Sequence, residues 1–398
     1  TLTYDPSGRQ WILFGGAEDD STVWILSDRG RAAWRVLSTR GETPSPRAFH
    51  SAAYDSASHS VLIYGGVSLR TLRFFDDVWR LSLTNPPTWT RVDPVSAGPG
   101  KRAWHGAVLD PAGQRMLVFG GRDSTSHATD ELWQLSLGES PTWAQIETQG
   151  ESPGPMADLS FLYDTNRGRA ILVSGSSGAR DVWSLNLSGT PRWTLIAQNG
   201  PLVSRNGATF DAVGDRILAL NATFLFKPWE LPLSGPAEWR AIPVGGDAPS
   251  PRQAPIACNS RGDEIAMFGG SDGQGLNLSD LWILSLPRNA STTLRPRAGA
   301  REINFGQVSL APPHPNPSRS GVSFAYTQPA SAYVKISVFD GAGRLVRNLF
   351  DGASEEGSHE VSWDGMQQGG SRARAGVYYC AMTIGGQTLS RKFVLISP

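Results

Sequence analysis

The chain has 398 residues, and its 36 Lys and Arg balance its 36 Asp and Glu, so no net field draws it to nucleic acid or to an anionic membrane surface. No run of 18 apolar residues occurs, which leaves no candidate for a helical membrane span. Only 18% of residues are charged while glycine (44) and proline (28) are abundant, the mixture of a turn-rich all-β protein rather than a helical or disordered one.

The chain starts inside a pattern that it then repeats. Thr1 to Asp5 align with a segment ending Ala52-Ala53-Tyr54-Asp55, so the first residues read as the middle of a repeat, as in a fragment or a processed form. The clearest copy runs Val61-Leu62-Ile63-Tyr64-Gly65-Gly66, then Asp77-Val78-Trp79, then Trp89-Thr90-Arg91-Val92. Each copy offers four short strands, with Asp-led turns such as Asp5-Pro6-Ser7-Gly8, Asp110-Pro111-Ala112-Gly113 and Asp164-Thr165-Asn166-Arg167 closing the first hairpin. The paired glycines recur at 15–16, 65–66, 120–121 and 269–270, degenerate to Gly175-Ser176 and are lost at Asn221-Ala222. The second tryptophans, Trp34, Trp89, Trp143, Trp193 and Trp239, are spaced 55, 54, 50 and 46 residues apart. A unit of this size cannot close a core alone, so copies pack on one another. Each buried tryptophan brings about 150–250 Å² of surface, or roughly 4–6 kcal/mol gross.

These motifs, over residues 1–296, resemble kelch repeats. The resemblance implies a β-propeller with one four-stranded blade per copy. Six blades are counted, at 1–37, 44–92, 99–146, 153–196, 201–242 and 249–296. The sixth has only Ser291-Thr292-Thr293-Leu294 for its last strand, and a segment upstream of residue 1 would add a strand or a seventh blade to the intact protein.

Pro44-Ser45-Pro46-Arg47 recurs as Pro99-Gly100-Lys101-Arg102 and Pro249-Ser250-Pro251-Arg252, with Arg205 as the fifth copy's arginine and Met156 in the fourth. Carboxylates at Asp77, Glu131, Asp181 and Asp280 precede the blade tryptophan, and Pro228 replaces one of them. The favoured reading is an Arg–carboxylate pin that holds loops, between adjacent blades. The sharper one is an arginine ring for an acidic ligand. His50 and His105 have Asp158, Gly207 and Pro255 as counterparts, so no metal set or cofactor is expected. Arg261-Gly262-Asp263 falls on a hairpin turn and reads as turn composition.

After Leu286 the repeat fades through Pro287-Arg288-Asn289-Ala290 and Arg295-Pro296-Arg297-Ala298-Gly299, and 297–304 reads as a linker. Residues 305–398 then offer six or seven short strands divided by turns such as Asp340-Gly341 and Asp364-Gly365, which argues a small immunoglobulin-like sandwich. Pro315-Asn316-Pro317, Val338 to Val346, Trp363-Asp364-Gly365, Gly376-Val377-Tyr378-Tyr379 and Arg391-Lys392-Phe393-Val394 resemble the type IX secretion sorting domains and the immunoglobulin-like domain of the flagellar hook-capping protein. That likeness implies a bacterial protein that is secreted or held at the cell surface, with the secretion machinery as a partner of this domain. Cys258 and Cys380 fall in the two separate domains, so no disulfide between them is expected.

Antiparallel alternation places the second-to-third and blade-to-blade loops on one face of the propeller. That face carries the variable segments, and function concentrates in such loops. The ligand-binding candidates are Arg70, Arg73, Phe74 and Phe75 in the longest insertion, with Arg122, Asp123, His127 and Asp272 on other blades; arginine and aromatics mark recognition surfaces. No catalytic residue is assigned. The leading reading is an exported binding protein for a protein or glycan; the alternative is a propeller enzyme acting on sugars (lyase or epimerase) or a galactose-oxidase-like oxidase. Aromatics and arginine without convergent titratable groups favour the binder, and a channel cluster of carboxylates, His or Tyr favours the enzyme.

Overall fold

The computed structural model describes residues 1–16, 21–28, 34–175, 180–221, 227–246, 249, 252–271, 277–286, 293–296, 309–311, 313–328, 332–341, 343–355, 357–384 and 387–396. The linker 297–304, Asp272, and Ser291 and Thr292 lie outside the described residues. No helix occurs among them, and so none is long and apolar enough to cross a membrane. The chain divides into two compact units, Thr1–Ile303 and Asn304–Pro398.

In the first unit every blade is an antiparallel sheet in chain order. Blade 2, for example, pairs Ser51–Asp55, Ser60–Tyr64, Val78–Ser82 and Thr88–Val92 in turn. The first strands, Leu2–Asp5, Ser51–Asp55, Gly106–Asp110, Ser160–Asp164, Ala208–Asp211 and Ile256–Cys258, each touch the next, and the last touches the first. The ring therefore closes on six blades. Closure is chemical as well as geometric: Trp11, fully buried in blade 1, donates its indole N–H to the Ala257 carbonyl of blade 6 at 3.1 Å. Arg261 reaches from blade 6 to Asp28 of blade 1 at 3.5 Å while also holding Asp263 at 2.9 Å. The outer strand of blade 6 is Thr293–Pro296, and Gly245–Gly246 adds to it in parallel.

The tryptophans glue blade to blade. The aromatic just before the paired glycines of one blade's second strand meets the outer-strand tryptophan of the next blade: Phe14–Trp89, Tyr64–Trp143, Phe119–Trp193 and, across the closure, Phe268–Trp34, each with ring centroids 5.1 Å apart. Such a pair adds about 0.5–1.5 kcal/mol beyond the area it buries. The paired glycines follow directly. Gly65 has φ of +63° and any Cβ there would sit 2.6 Å from the Arg102 carbonyl of the next blade. Gly66 donates its N–H to that same oxygen at 2.9 Å, as Gly16 does to Arg47 and Gly121 to Met156.

On the short-turn face the aspartates ending the first strands of blades 1, 3, 4 and 5 (Asp5, Asp110, Asp164 and Asp211) are buried and hydrogen-bonded, Asp55 of blade 2 is partly exposed, and blade 6 ends this strand in Cys258. Asp164 accepts the N–H groups of Asn166 and Arg167 and the Arg169 guanidinium at 2.9 Å. Asp110 pairs with Arg115 at 2.8 Å and Asp211 with Arg216 at 2.9 Å. Neighbouring turns are tied by Arg167–Asp215 at 2.6 Å and by the Tyr163 hydroxyl donating to Asp110 at 3.1 Å.

The second unit is a sandwich of a three-stranded sheet, in the order Ser309–Leu310, Val322–Gln328, Gly357–Trp363, and a four-stranded sheet, in the order Leu345–Ser354, Ala332–Asp340, Gly376–Ile384, Gln387–Leu395. Alternate residues point inward, and Phe324, Trp363, Tyr378 and Phe393 form its aromatic centre.

Candidate binding site at the mouth of the propeller

The Arg–carboxylate pins lie within single blades, not between them. Arg47 forks onto Asp77 at 2.5 and 2.9 Å and donates to the Gly65 carbonyl at 3.0 Å; Asp77 in turn accepts the Trp79 indole N–H at 2.7 Å. Arg102–Glu131–Trp133 and Arg252–Asp280–Trp282 repeat the triad. Although burial opposes ionisation, the Arg47 fork and the Trp79 N–H hold the Asp77 carboxyl below its usual range. The arginine's backbone carbonyl makes the cross-blade contact, accepting the N–H of the preceding blade's second glycine.

His50 and His105 are also scaffold. Both are about 1% exposed, and each packs under an aromatic of the preceding blade, Phe14 and Tyr64 respectively. His105 Nε2 lies 2.8 Å from Ser51 Oγ. Burial pushes both imidazoles well below their ordinary range, so both are neutral.

Two residues before four of the first strands, the chain turns through left-handed backbone without glycine: Phe49 (φ 59°), Trp104 (φ 60°), Asp158 (φ 58°) and Asn206 (φ 54°). Bulky side chains rarely hold this conformation, and it costs of order 1–3 kcal/mol at each position. Backbone hydrogen bonds impose it: Trp104 N–H donates to the Phe49 carbonyl at 3.0 Å and Asp158 N–H to the Trp104 carbonyl at 3.1 Å, stepping from blade to blade. These residues stand where the innermost strands begin, so they rim the central axis on the variable-loop face.

The rim is chemically uneven. Phe49 and Trp104 stack at 4.7 Å and 23°, and Phe74 leans on Trp104 at 6.0 Å. Arg205 reaches across the axis from blade 5 to the opposite blade 2, with its guanidinium 5.0 Å from the Phe49 ring and one N–H donated to the His50 carbonyl at 3.2 Å. Asp158 is half-buried, and no hydrogen bond or ion pair engages its carboxylate among the described residues. Burial raises its pKa against the pull of Arg205 and Arg122, and burial lowers Arg205 to about 10 against the pull of Asp158. Two opposite charges thus feel each other without closing an ion pair, beside an aromatic wall. Such a gap suits a ligand that both accepts from the guanidinium and donates to the carboxylate.

The sequence candidates distribute around this rim. Phe74 borders it directly, whereas the Arg122 guanidinium donates to the Ser126 carbonyl at 2.9 Å and acts on Asp158 only through its charge. Arg70 and Arg73 are exposed on the blade-2 loop, where Ser68 N–H donates to the Arg73 carbonyl and Leu72 N–H to the Ser68 carbonyl. Leu69 and Leu72 stand out from the same loop, 41% and 73% exposed. Phe75 turns inward instead: it is buried, with the Arg47 guanidinium 4.1 Å from its ring. Asp123 and His127 belong to a self-contained turn, in which Asp123 accepts the Thr125 and His127 N–H groups and His127 Nδ1 lies 2.7 Å from Thr125 Oγ1. Asp272 lies outside the described residues. Phe49, Trp104 and Asn206 were not singled out from sequence, and the signal that finds them is register against the first strand. That register also moves two alignments. Asp158 matches Phe49 rather than His50, and Arg205 stands one residue later than Arg47, with Ser204 in the matching place.

Comparison with known proteins agrees with this architecture. The KLHDC2/KLHL20/DRC7 Kelch-repeats domain matches residues 2–220, and the chain belongs to the kelch-repeat family. The FlgD Ig-like domain matches residues 316–387. Putative adagio-like protein 2 of Oryza sativa subsp. japonica is 28% identical over 314 residues, covering 70% of this chain and 48% of that protein. Serine/threonine-protein phosphatase BSL2 of Arabidopsis thaliana is 33% identical over 192 residues, covering 47% and 17%. The chain therefore spans about half, or less, of these relatives. Among solved structures, YjhT superposes with a TM-score of 0.55 at 14% identity, over 74% of this chain and 96% of YjhT, which is a likeness of fold.

Proposed function

We propose that this chain is an exported bacterial binding protein whose propeller captures a protein partner at the mouth, with the C-terminal domain serving secretion or surface attachment. The observation that carries the binding role is the half-buried, unjoined Arg205 and Asp158 set against the Phe49–Trp104 stack on strained backbone. Strain of this kind persists where the surrounding structure enforces it, and it clusters at ligand sites. The blade-2 loop supports a protein rather than a small solute, because Leu69 and Leu72 are presented to solvent on a turn held by its own backbone hydrogen bonds. The likeness of residues 316–387 to the FlgD Ig-like domain supports the role of the second unit in export or attachment.

The test is a combined protein and glycan array probed with the whole chain, followed by Arg205→Met, Asp158→Asn and Leu72→Asp. Each substitution is expected to weaken a protein ligand about tenfold or more. Glycan binding that ignores Leu72→Asp, or turnover of a sugar substrate without any bound protein, overturns the reading. Removing residues 305–398 is expected to stop export in a bacterial host with a type IX system; normal secretion of that truncation refutes the role given to the domain.

A further inference from the structure

A second recessed surface belongs to the sandwich. On one side of it two sheet edges run next to each other: Gly357–Trp363 ends the three-stranded sheet and Leu345–Ser354 ends the four-stranded one. The first half of the Leu345–Ser354 edge is covered. Gln368 donates its N–H to the Val346 carbonyl at 2.8 Å, and Gln368 Oε1 accepts the Asn348 N–H at 3.2 Å. Past Asn348 the Gln368 cover ends, and among the described residues the edge is next capped only at Ser354, whose carbonyl accepts the Gln328 amide N–H at 2.7 Å. A groove of about 440 Å³ opens there, lined by Tyr326, Phe350, Ser354, His359 and Val361, with Glu355 and Glu360 along it.

The floor of the groove is fixed. The Tyr326 ring is 3% exposed and stacks on His359 at 5.2 Å, its hydroxyl is 3.2 Å from Ser354 Oγ, and His359 Nε2 donates to the Glu355 carbonyl at 2.7 Å. Val361 shares the inward side of its strand with fully buried Trp363, yet it is only partly covered, as is Phe350 on the facing edge. Inward-pointing apolar side chains thus meet solvent where the sandwich is open. Both glutamates are exposed, and neither joins an ion pair among the described residues. An unpaired strand edge, an apolar slot and two unopposed carboxylates together define a complementary shape and charge.

We propose that this edge accepts an extended basic segment of a partner protein, which adds as a strand along Gly357–Trp363, sets an apolar side chain over Tyr326 and Val361, and places Lys or Arg against Glu355 and Glu360. Strand addition supplies main-chain hydrogen bonds, alternate side chains supply the selection, and the carboxylates set its sign.

The probe is a fluorescent nonapeptide alternating valine and lysine, titrated into the full chain, with a valine–glutamate peptide as its counterpart. The basic peptide is expected to bind, and the acidic one is not. Glu355→Lys combined with Glu360→Lys, both at exposed positions, is expected to weaken binding at least tenfold without moving the melting temperature. N-methylating every second backbone amide of the peptide, in both registers, is expected to abolish binding in the register that faces the edge. No binding of the basic peptide, binding that ignores the charge reversal, or binding that survives N-methylation in both registers overturns the proposal.

Discussion

Blades 2 and 5 face each other across the axis and use arginine in opposite ways. Arg47 stands two residues before Phe49, is fully buried, and closes on Asp77 of its own blade. Blade 5 has Ser204 in the matching place and Pro228 where the carboxylate would be. Its Arg205, one residue later, leaves its own blade and lies over Phe49 of blade 2. A shift of a single position thus separates a scaffold arginine from a binding-site arginine, because the direction of a side chain from a turning backbone changes with every residue. The loss of the carboxylate partner is what leaves the fifth copy's charge available to the mouth.

The comparison is broken most directly by Asp77→Ala. It strands a guanidinium with no exposure, and a cost of about 3–5 kcal/mol is expected in urea unfolding. A loss near zero would mean that the Arg47 fork is not what holds the blade. Gly65→Ala tests the cross-blade carbonyl contact, where positive φ and a Cβ against Arg102 O predict a loss of about 1–3 kcal/mol; an unchanged midpoint would show that the next blade gives way.

Smaller effects sharpen the contrast between carboxylates. Asp215 is held at about 2, first by the Arg167 guanidinium. A lowered folded pKa stabilises above the unfolded value of about 4, and that contribution fades as pH falls towards 2. Asp215→Asn is therefore expected to flatten the acid limb of a stability–pH profile by no more than about 1 kcal/mol, since the pair is partly exposed. Asp158 has the opposite sign. Its raised pKa means that protonation favours the fold and that stability is lost as pH rises through its titration. At pH 7, Asp158→Asn is expected to leave the chain as stable or up to about 1 kcal/mol more so, while weakening ligand binding. Destabilisation instead would show that the carboxylate is paired scaffold.

Much of the architecture was legible because it is written locally and repeatedly. An apolar run ending in an aromatic and two glycines, an Asp-led turn and a spaced tryptophan recur, and each has one structural solution. The same logic divided residues 305–398 into six or seven short strands, and the structure has seven, from Ser309–Leu310 to Gln387–Leu395. The mouth was not legible in this way. Phe49, Trp104, Asp158 and Asn206 share no chemistry, only a backbone conformation and a place two residues before a strand. Phe75 looked like its neighbour Phe74 in sequence, yet the two rings point to different sides of the loop, one beneath Arg47 and one towards Trp104.

By itself the sequence determined an all-β chain of repeated four-stranded blades followed by a sandwich, since periodicity, turn residues and buried aromatics act over a few residues at a time, while the choice of six blades rather than seven came from the contact of the first blade with the sixth. Tertiary structure alone decided which arginine is scaffold and which is poised. Arg205 meets a residue 155 positions earlier in the chain only because six twisted sheets close into a ring and bring opposite blades together at its centre.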